Sequence, residues 1–139
     1  MRRLWISLLL FVLISWLGFA ENRWVIDVKS GAGAGLIGLA VEKEWSGFSV
    51  WFAGGVAQAA VGYGIGLRFY FSPEAQSRGF AGAIVGGATT GQLSLPYGGA
   101  VVGYEWRLSP QLRVTVEGGL AFALFLPLPV FGLALGLIF

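Results

Sequence analysis

The sequence predicts an all-β chain closed into an eight-stranded antiparallel up-and-down transmembrane β-barrel, and three features carry that prediction. Side chains alternate with a period of two over most of residues 24–139, and the bulky apolar set and the small or charged set fall on opposite faces. Turn signals cut the chain into segments of about nine to twelve residues, the length of a tilted strand crossing a bilayer. The composition, 56% hydrophobic against 12% charged with mean hydropathy +0.76, is too apolar for an ordinary soluble domain.

The clearest stretch is VGYGIGLRFYF, residues 61–71. Val61, Tyr63, Ile65, Leu67, Phe69 and Phe71 share one face; Gly62, Gly64, Gly66, Arg68 and Tyr70 share the other. A soluble sandwich buries its large residues and exposes its charges. Here the small and charged face suits a narrow interior, and the bulky face suits lipid.

Residues 1–20 read as a secretion signal. Arg2 and Arg3 form a basic start, Leu4 to Leu17 is almost wholly apolar, and Gly18 and Ala20 are the small residues of a cleavage site placed after Ala20. That leaves residues 21–139 as the barrel. The signal holds two of the nine Lys and Arg residues and none of the seven Asp and Glu, so the remainder is formally neutral. No basic patch argues for nucleic acid. The chain has no Cys and no His, which removes disulfides, thiolate chemistry and the commonest base and metal ligand. The alternative of a polytopic helical inner-membrane protein needs roughly 20 consecutive apolar residues per span, whereas the apolar runs here are broken by charges and by 23 glycines.

The first strand is expected over Trp24 to Ser30, with Trp24, Ile26 and Val28 opposite Val25, Asp27 and Lys29. The following SGAGAGLIG contains Gly33, Gly35 and Gly38 in the spacing of a dinucleotide-binding turn, but no acidic residue ends a second βαβ strand about 20 residues on. Gly31 to Gly35 is therefore expected to be a tight connection. The second strand, Leu36 to Trp45, sets Ile37, Leu39, Val41, Lys43 and Trp45 against Leu36, Gly38, Ala40, Glu42 and Glu44. Ser46 and Gly47 make a two-residue turn. The third strand runs from Phe48 to about Val56 and sends Trp51 to the small-residue face.

After the fourth strand, SPEAQSRG (72–79) reads as a polar loop. The fifth strand is placed at 80–88 with its facing open, and TTGQLSLP (89–96) as a connection. The sixth, 97–108, sets Ala100, Val102, Tyr104, Trp106 and Leu108 against Val101, Gly103, Glu105 and Arg107. Ser109 and Pro110 form a turn. The seventh, 111–124, sets Leu112, Val114, Val116, Leu120, Phe122 and Leu124 against Arg113, Thr115, Glu117, Gly119, Ala121 and Ala123. FLPLPV (125–130) is read as an apolar loop broken by Pro127 and Pro129, before a last strand at 131–139.

An even strand count puts both termini on one side, the periplasmic side for a secreted chain. Trp24, Trp45, Phe48, Phe69, Phe71, Phe80, Trp106 and Phe139 then collect near that end as an aromatic girdle. Only a closed barrel satisfies such strands in lipid.

Three segments, GYGIGLRFYF, GYEWRLSPQLRVTVEGGL and FGLALGLIF, give the chain its resemblance to the small eight-stranded outer-membrane β-barrel proteins of the OmpA/OmpX type, over essentially all of residues 21–139. The resemblance implies a cell outer-membrane location among its lipids. It also implies recognition by the outer-membrane barrel assembly machinery through a C-terminal signal: Leu133, Leu135, Leu137 and the terminal Phe139. The connections assigned to the outer side are short, against an adhesin or receptor role.

Eight strands enclose a space that side chains just fill. Inward Asp27, Lys29, Glu42, Glu44, Arg68, Glu105, Arg107, Arg113 and Glu117 lie in the periplasmic half, nearly balanced in sign, and are expected to pair as a salt-bridged plug. The upper half, lined by Gly and Ala with FLPLPV at its rim, leaves room for a small apolar ligand. The roles expected are therefore structural, in the envelope, with a minor pore or an apolar-ligand carrier as alternatives. No cofactor is expected. Isolated serines such as Ser94 have no base to activate them, so the chain is not expected to be an enzyme.

Overall fold

A computed structural model describes residues 22–139, and the signal segment with its cleavage point lies outside the described residues. Eight strands follow one another: β1 Arg23–Gly31, β2 Gly35–Glu44, β3 Phe48–Ala57, β4 Ala60–Tyr70, β5 Ser77–Thr89, β6 Ser94–Ser109, β7 Leu112–Ala123 and β8 Leu126–Ile138. Each pairs antiparallel with the next, and β8 pairs with β1 to close the barrel. Among the described residues no helix is long and apolar enough to cross a membrane, and the helical alternative has no support. We call the end with the start of β1, the end of β8 and the turns at 45–47, 71–76 and 110–111 the lower end.

The alternation holds in space. Along β4, residues 61, 63, 65, 67 and 69 are exposed while 62, 64, 66, 68 and 70 are buried. Among the outward positions of the strands, Lys43 is the one charge, and its Nζ lies 4.6 Å from the Trp24 ring at the lower end.

The interior accommodates large groups by facing them with glycine across the ladder, the small-against-large fit of narrow barrels. Trp51 is paired with Gly66, where an added Cβ would stand 2.5 Å from the indole. Phe80 is paired with Gly103, and a Cβ there would collide with its ring. Glu117 lies against Gly132, where a Cβ would stand 2.7 Å from its carboxylate. The small inward face read from the sequence is thus the complement of a few bulky neighbours.

The β1–β2 connection is tight, with Gly31, Gly33 and Gly35 at φ +93°, +80° and +72°, values that favour glycine. It also turns into the barrel. Ala32 and Ala34 are buried, and Gly33 sits above the Trp51 ring and against Gly64. Gly62 and Gly64 are therefore small because backbone from this turn occupies the space their side chains would fill.

Several expectations are corrected. Phe80, expected in the aromatic girdle, is instead 0% exposed and points inward, packed edge-on against Tyr70. It shares its face with Arg78 and Ile84, which fixes the facing of β5, with Ala83 and Val85 outward. β5 begins at Ser77 inside the stretch read as a loop, and β6 begins at Ser94, because the β5–β6 ladder runs on from Ser77↔Trp106 to Thr89↔Ser94. Leu36, expected inward, is turned outward beside Ile37 by a register shift between Lys29↔Gly38 and Gly31↔Gly35. FLPLPV is not a loop: β8 starts at Leu126, and Leu124 and Phe125 alone make the turn, both at positive φ. Pro127 and Pro129 are tolerated because β1 ends at Gly31, paired with Gly132, so β8 above that level has no ladder partner on its β1 side.

Candidate functional site

The lower half of the lumen is filled by ionised side chains. The structure brings together all nine charges anticipated there and adds a tenth, Arg78, which is 1% exposed. The set is then five acids (Asp27, Glu42, Glu44, Glu105, Glu117) and five bases (Lys29, Arg68, Arg78, Arg107, Arg113).

Every strand except β3 and β8 contributes a charge, and the pairs cross the lumen. Glu42 is central, accepting from Arg68 Nη1 at 2.7 Å, from Arg113, and from the Tyr70 hydroxyl at 2.9 Å. Arg113 reaches Asp27 at 2.7 Å and Glu105 at 2.9 Å. Arg78 donates to Glu44 at 2.6 Å and to Glu105 at 3.0 Å, and Arg107 donates to Glu44 at 2.9 Å. Glu117 takes Lys29 and, at 2.9 Å, Arg68.

Four of the five bases are arginine, whose planar fork bridges two carboxylates at once. Isolated buried charges cost several kcal/mol each, so such a cluster persists only when geometry and partners are complete. Most of its donors are paired, Arg68 Nε and Arg107 Nε excepted, and aromatic faces add to the set: Arg78 lies 3.6 Å from the Tyr70 ring centroid, Lys29 3.9 Å from that of Trp51, and Arg68 4.8 Å from that of Phe80. Each supplies electrostatic attraction where no water competes.

Above the charges lies a floor of Trp51, Ile84, Val101 and the inward turn at 32–34. Above the floor is an apolar cavity of about 380 Å³, bounded among others by Leu95, Tyr97, Ala121, Ala123, Leu128 and Val130. The lumen thus has two compartments, ionic below and apolar above.

The residues expected in the aromatic girdle, Phe80 excepted, lie at the lower end on the outward side. Trp45 stacks on Phe48 with centroids 4.8 Å apart, and Phe48 lies 6.3 Å from Phe69. Trp24, Phe69, Phe71, Trp106 and Phe139 are exposed. Leu133, Leu135 and Leu137 form an unbroken outward row ending at Phe139, which exchanges backbone hydrogen bonds with Trp24.

Sequence reasoning missed Arg78 because SPEAQSRG carries every mark of a loop. The signal that finds it is parity: Arg78 stands two residues before Phe80 and six before Ile84, on their face. Tyr70 and Trp51 were on the inward face from the start, but their contact with the charges depends on which strands adjoin.

No protein-family model matches the chain, and no curated protein matches it. Among solved structures it is similar to Neisserial surface protein A, at 9% identity over 84% of this chain and 94% of that chain, with a TM-score of 0.49. The barrel assignment stands on the strand pairing itself. In strand number, antiparallel up-and-down order and closure, the chain matches the small eight-stranded barrels that its sequence resembles.

Proposed function

We propose that this chain is a small integral outer-membrane barrel with a structural role in the envelope, its lumen closed to ions by the lower charge cluster. The single observation carrying this reading is the inversion of polarity: the inward strand positions hold a paired cluster of five acids and five bases, with Arg23 on the same face of β1, against Lys43 alone among the outward strand positions. A wall that is apolar outward and closed strand to strand through its lower ring, from β1 round to β8, is what a bilayer accepts. The exposed aromatics at the lower end suit the interfacial zone, and the outward row ending at Phe139 suits recognition by the assembly machinery. A sequence without His or Cys supports a non-enzymatic role.

Two measurements test it. Purified protein in micelles is expected to run faster unheated than boiled on a gel and to give a β-type circular dichroism spectrum. In planar bilayers it is expected to show no discrete channel openings. Regular single-channel steps would replace the closed barrel by a minor pore.

The cavity of about 380 Å³ above the floor favours a second reading, a binder of a small apolar molecule. Its size lies within the range of about 300–1,000 Å³ typical of small-molecule sites.

A further inference from the structure

The upper cavity is bounded on one side by a seam in the barrel wall. β1 ends at Gly31 opposite Gly132, and the last bond beyond it runs from Ala32 N–H to the Phe131 carbonyl at 3.0 Å. The chain then turns into the lumen, so nothing continues β1 upward. β8 nevertheless extends to Leu126, held there by β7 alone. Pro129 and Phe131, which belong to the outward set, appear in the cavity wall together with inward Leu128 and Val130. The cavity therefore reaches the seam.

The seam also lacks donors. Successive residues of an antiparallel strand direct their backbone groups to opposite neighbours. Phe139 exchanges both bonds with Trp24 of β1, while Ile138 N–H goes to Gln111 on the β7 side. Stepping by two from Phe139, Pro129 and Pro127 direct their groups toward the seam, and proline has no N–H. An open edge in hydrocarbon is costly in proportion to its unpaired groups, and above Phe131 both strand positions that would present an N–H are proline. The rim beside it, Leu124, Phe125 and Leu126, is apolar and exposed, Phe125 to 97%, which suits contact with lipid better than with water. Below the seam, a groove of about 250 Å³ is lined by Val28, Leu36, Ile37, Leu133 and Leu135 together with Lys29 and Ser30.

We propose that this seam is a lateral opening through which one acyl chain of a bilayer phospholipid passes from the surrounding leaflet into the upper lumen. The chain lies along the groove, crosses between Gly31 and Pro129, and ends against the floor formed by the 32–34 turn and Trp51. The ionic compartment below is closed to it. The proposal rests on residence in a bilayer, which the experiment reads separately.

The protein is reconstituted in vesicles containing a phosphatidylcholine with a diazirine near the end of one chain, irradiated, and mapped by peptide mass spectrometry. Labels are expected at inward Ala121, Ala123 and Leu128 as well as at outward Leu133 and Leu135. Ala121→Phe, which fills the cavity, is expected to lower the inward labels at least about tenfold and leave the outward ones unchanged. Ala123→Phe serves if Ala121→Phe loses heat-modifiable mobility. Labels confined to outward residues, or inward labels unchanged in the filled variant, overturn the proposal. Inward labelling by a diazirine fatty acid added from the aqueous side, without labelling by the phospholipid, overturns the bilayer source. Absence of outward labels as well would overturn the membrane reading itself and the proposal with it.

Discussion

Arg113 holds Asp27 in a two-point grip, Nε to Oδ1 at 3.1 Å and Nη2 to Oδ2 at 2.7 Å. The two residues lie on β7 and β1, and Gly136 of β8 is the ladder partner of both. The ion pair therefore spans the strand that closes the barrel, passing over a glycine. A Cβ at Gly136 would collide with the Asp27 carboxylate and stand 3.1 Å from Arg113 Nε. Gly136→Ala is expected to break the grip and lower stability by about 3 kcal/mol, the cost of opening a buried pair. Urea unfolding in lipid vesicles measures it, and an unchanged midpoint would refute the closing role of this pair.

Arg78 is the member that balances the cluster. Arg78→Leu leaves Glu44 and Glu105 short of a partner, with an expected loss of about 3–5 kcal/mol. Lys43→Leu, at the outward edge, is expected to stay within about 0.5 kcal/mol of the parent. Equal effects of the two substitutions would mean that burial of the charges does not set their weight.

Buried ion pairs are weakly screened. Stability measured in about 0.1 M and about 1 M NaCl is expected to differ by less than about 1 kcal/mol, after correction with a variant lacking Lys43. A steep fall with salt would indicate that water and ions reach the cluster, and would favour the pore.

Trp51 joins the two compartments, with Lys29 against its face and Gly33 above it. Trp51→Ala is expected to cost about 3–5 kcal/mol as a large-to-small change. Gly66→Val, which would drive a side chain into the indole, is expected to abolish heat-modifiable mobility. A folded Gly66→Val barrel would show that Trp51 can leave the lumen.

Pro127 and Pro129 offer a test of the seam. In a strand paired on both sides, replacing proline by alanine restores a ladder bond and stabilises. Here Pro127→Ala and Pro129→Ala would place N–H groups where no acceptor strand runs, and each is expected to bring no gain. A clear rise in the unfolding midpoint would mean that the seam is closed.

The sequence by itself determined the two-residue alternation, the strand count and the inversion of polarity, because each depends only on neighbouring residues along one strand. It also determined which face of β1, β4, β6 and β7 carries charge. The tertiary structure decided which charges meet. Asp27 and Arg113 stand 86 residues apart and adjoin because the ring closes with a particular stagger, which no local pattern encodes. The same closure recruits Arg78 from a stretch with loop composition, turns Phe80 inward, and leaves β8 without a neighbour beside its prolines. The inward turn at 32–34 explains Gly62 and Gly64 of β4, and the Trp51 indole explains Gly66; their smallness was legible but its cause lies elsewhere in the barrel.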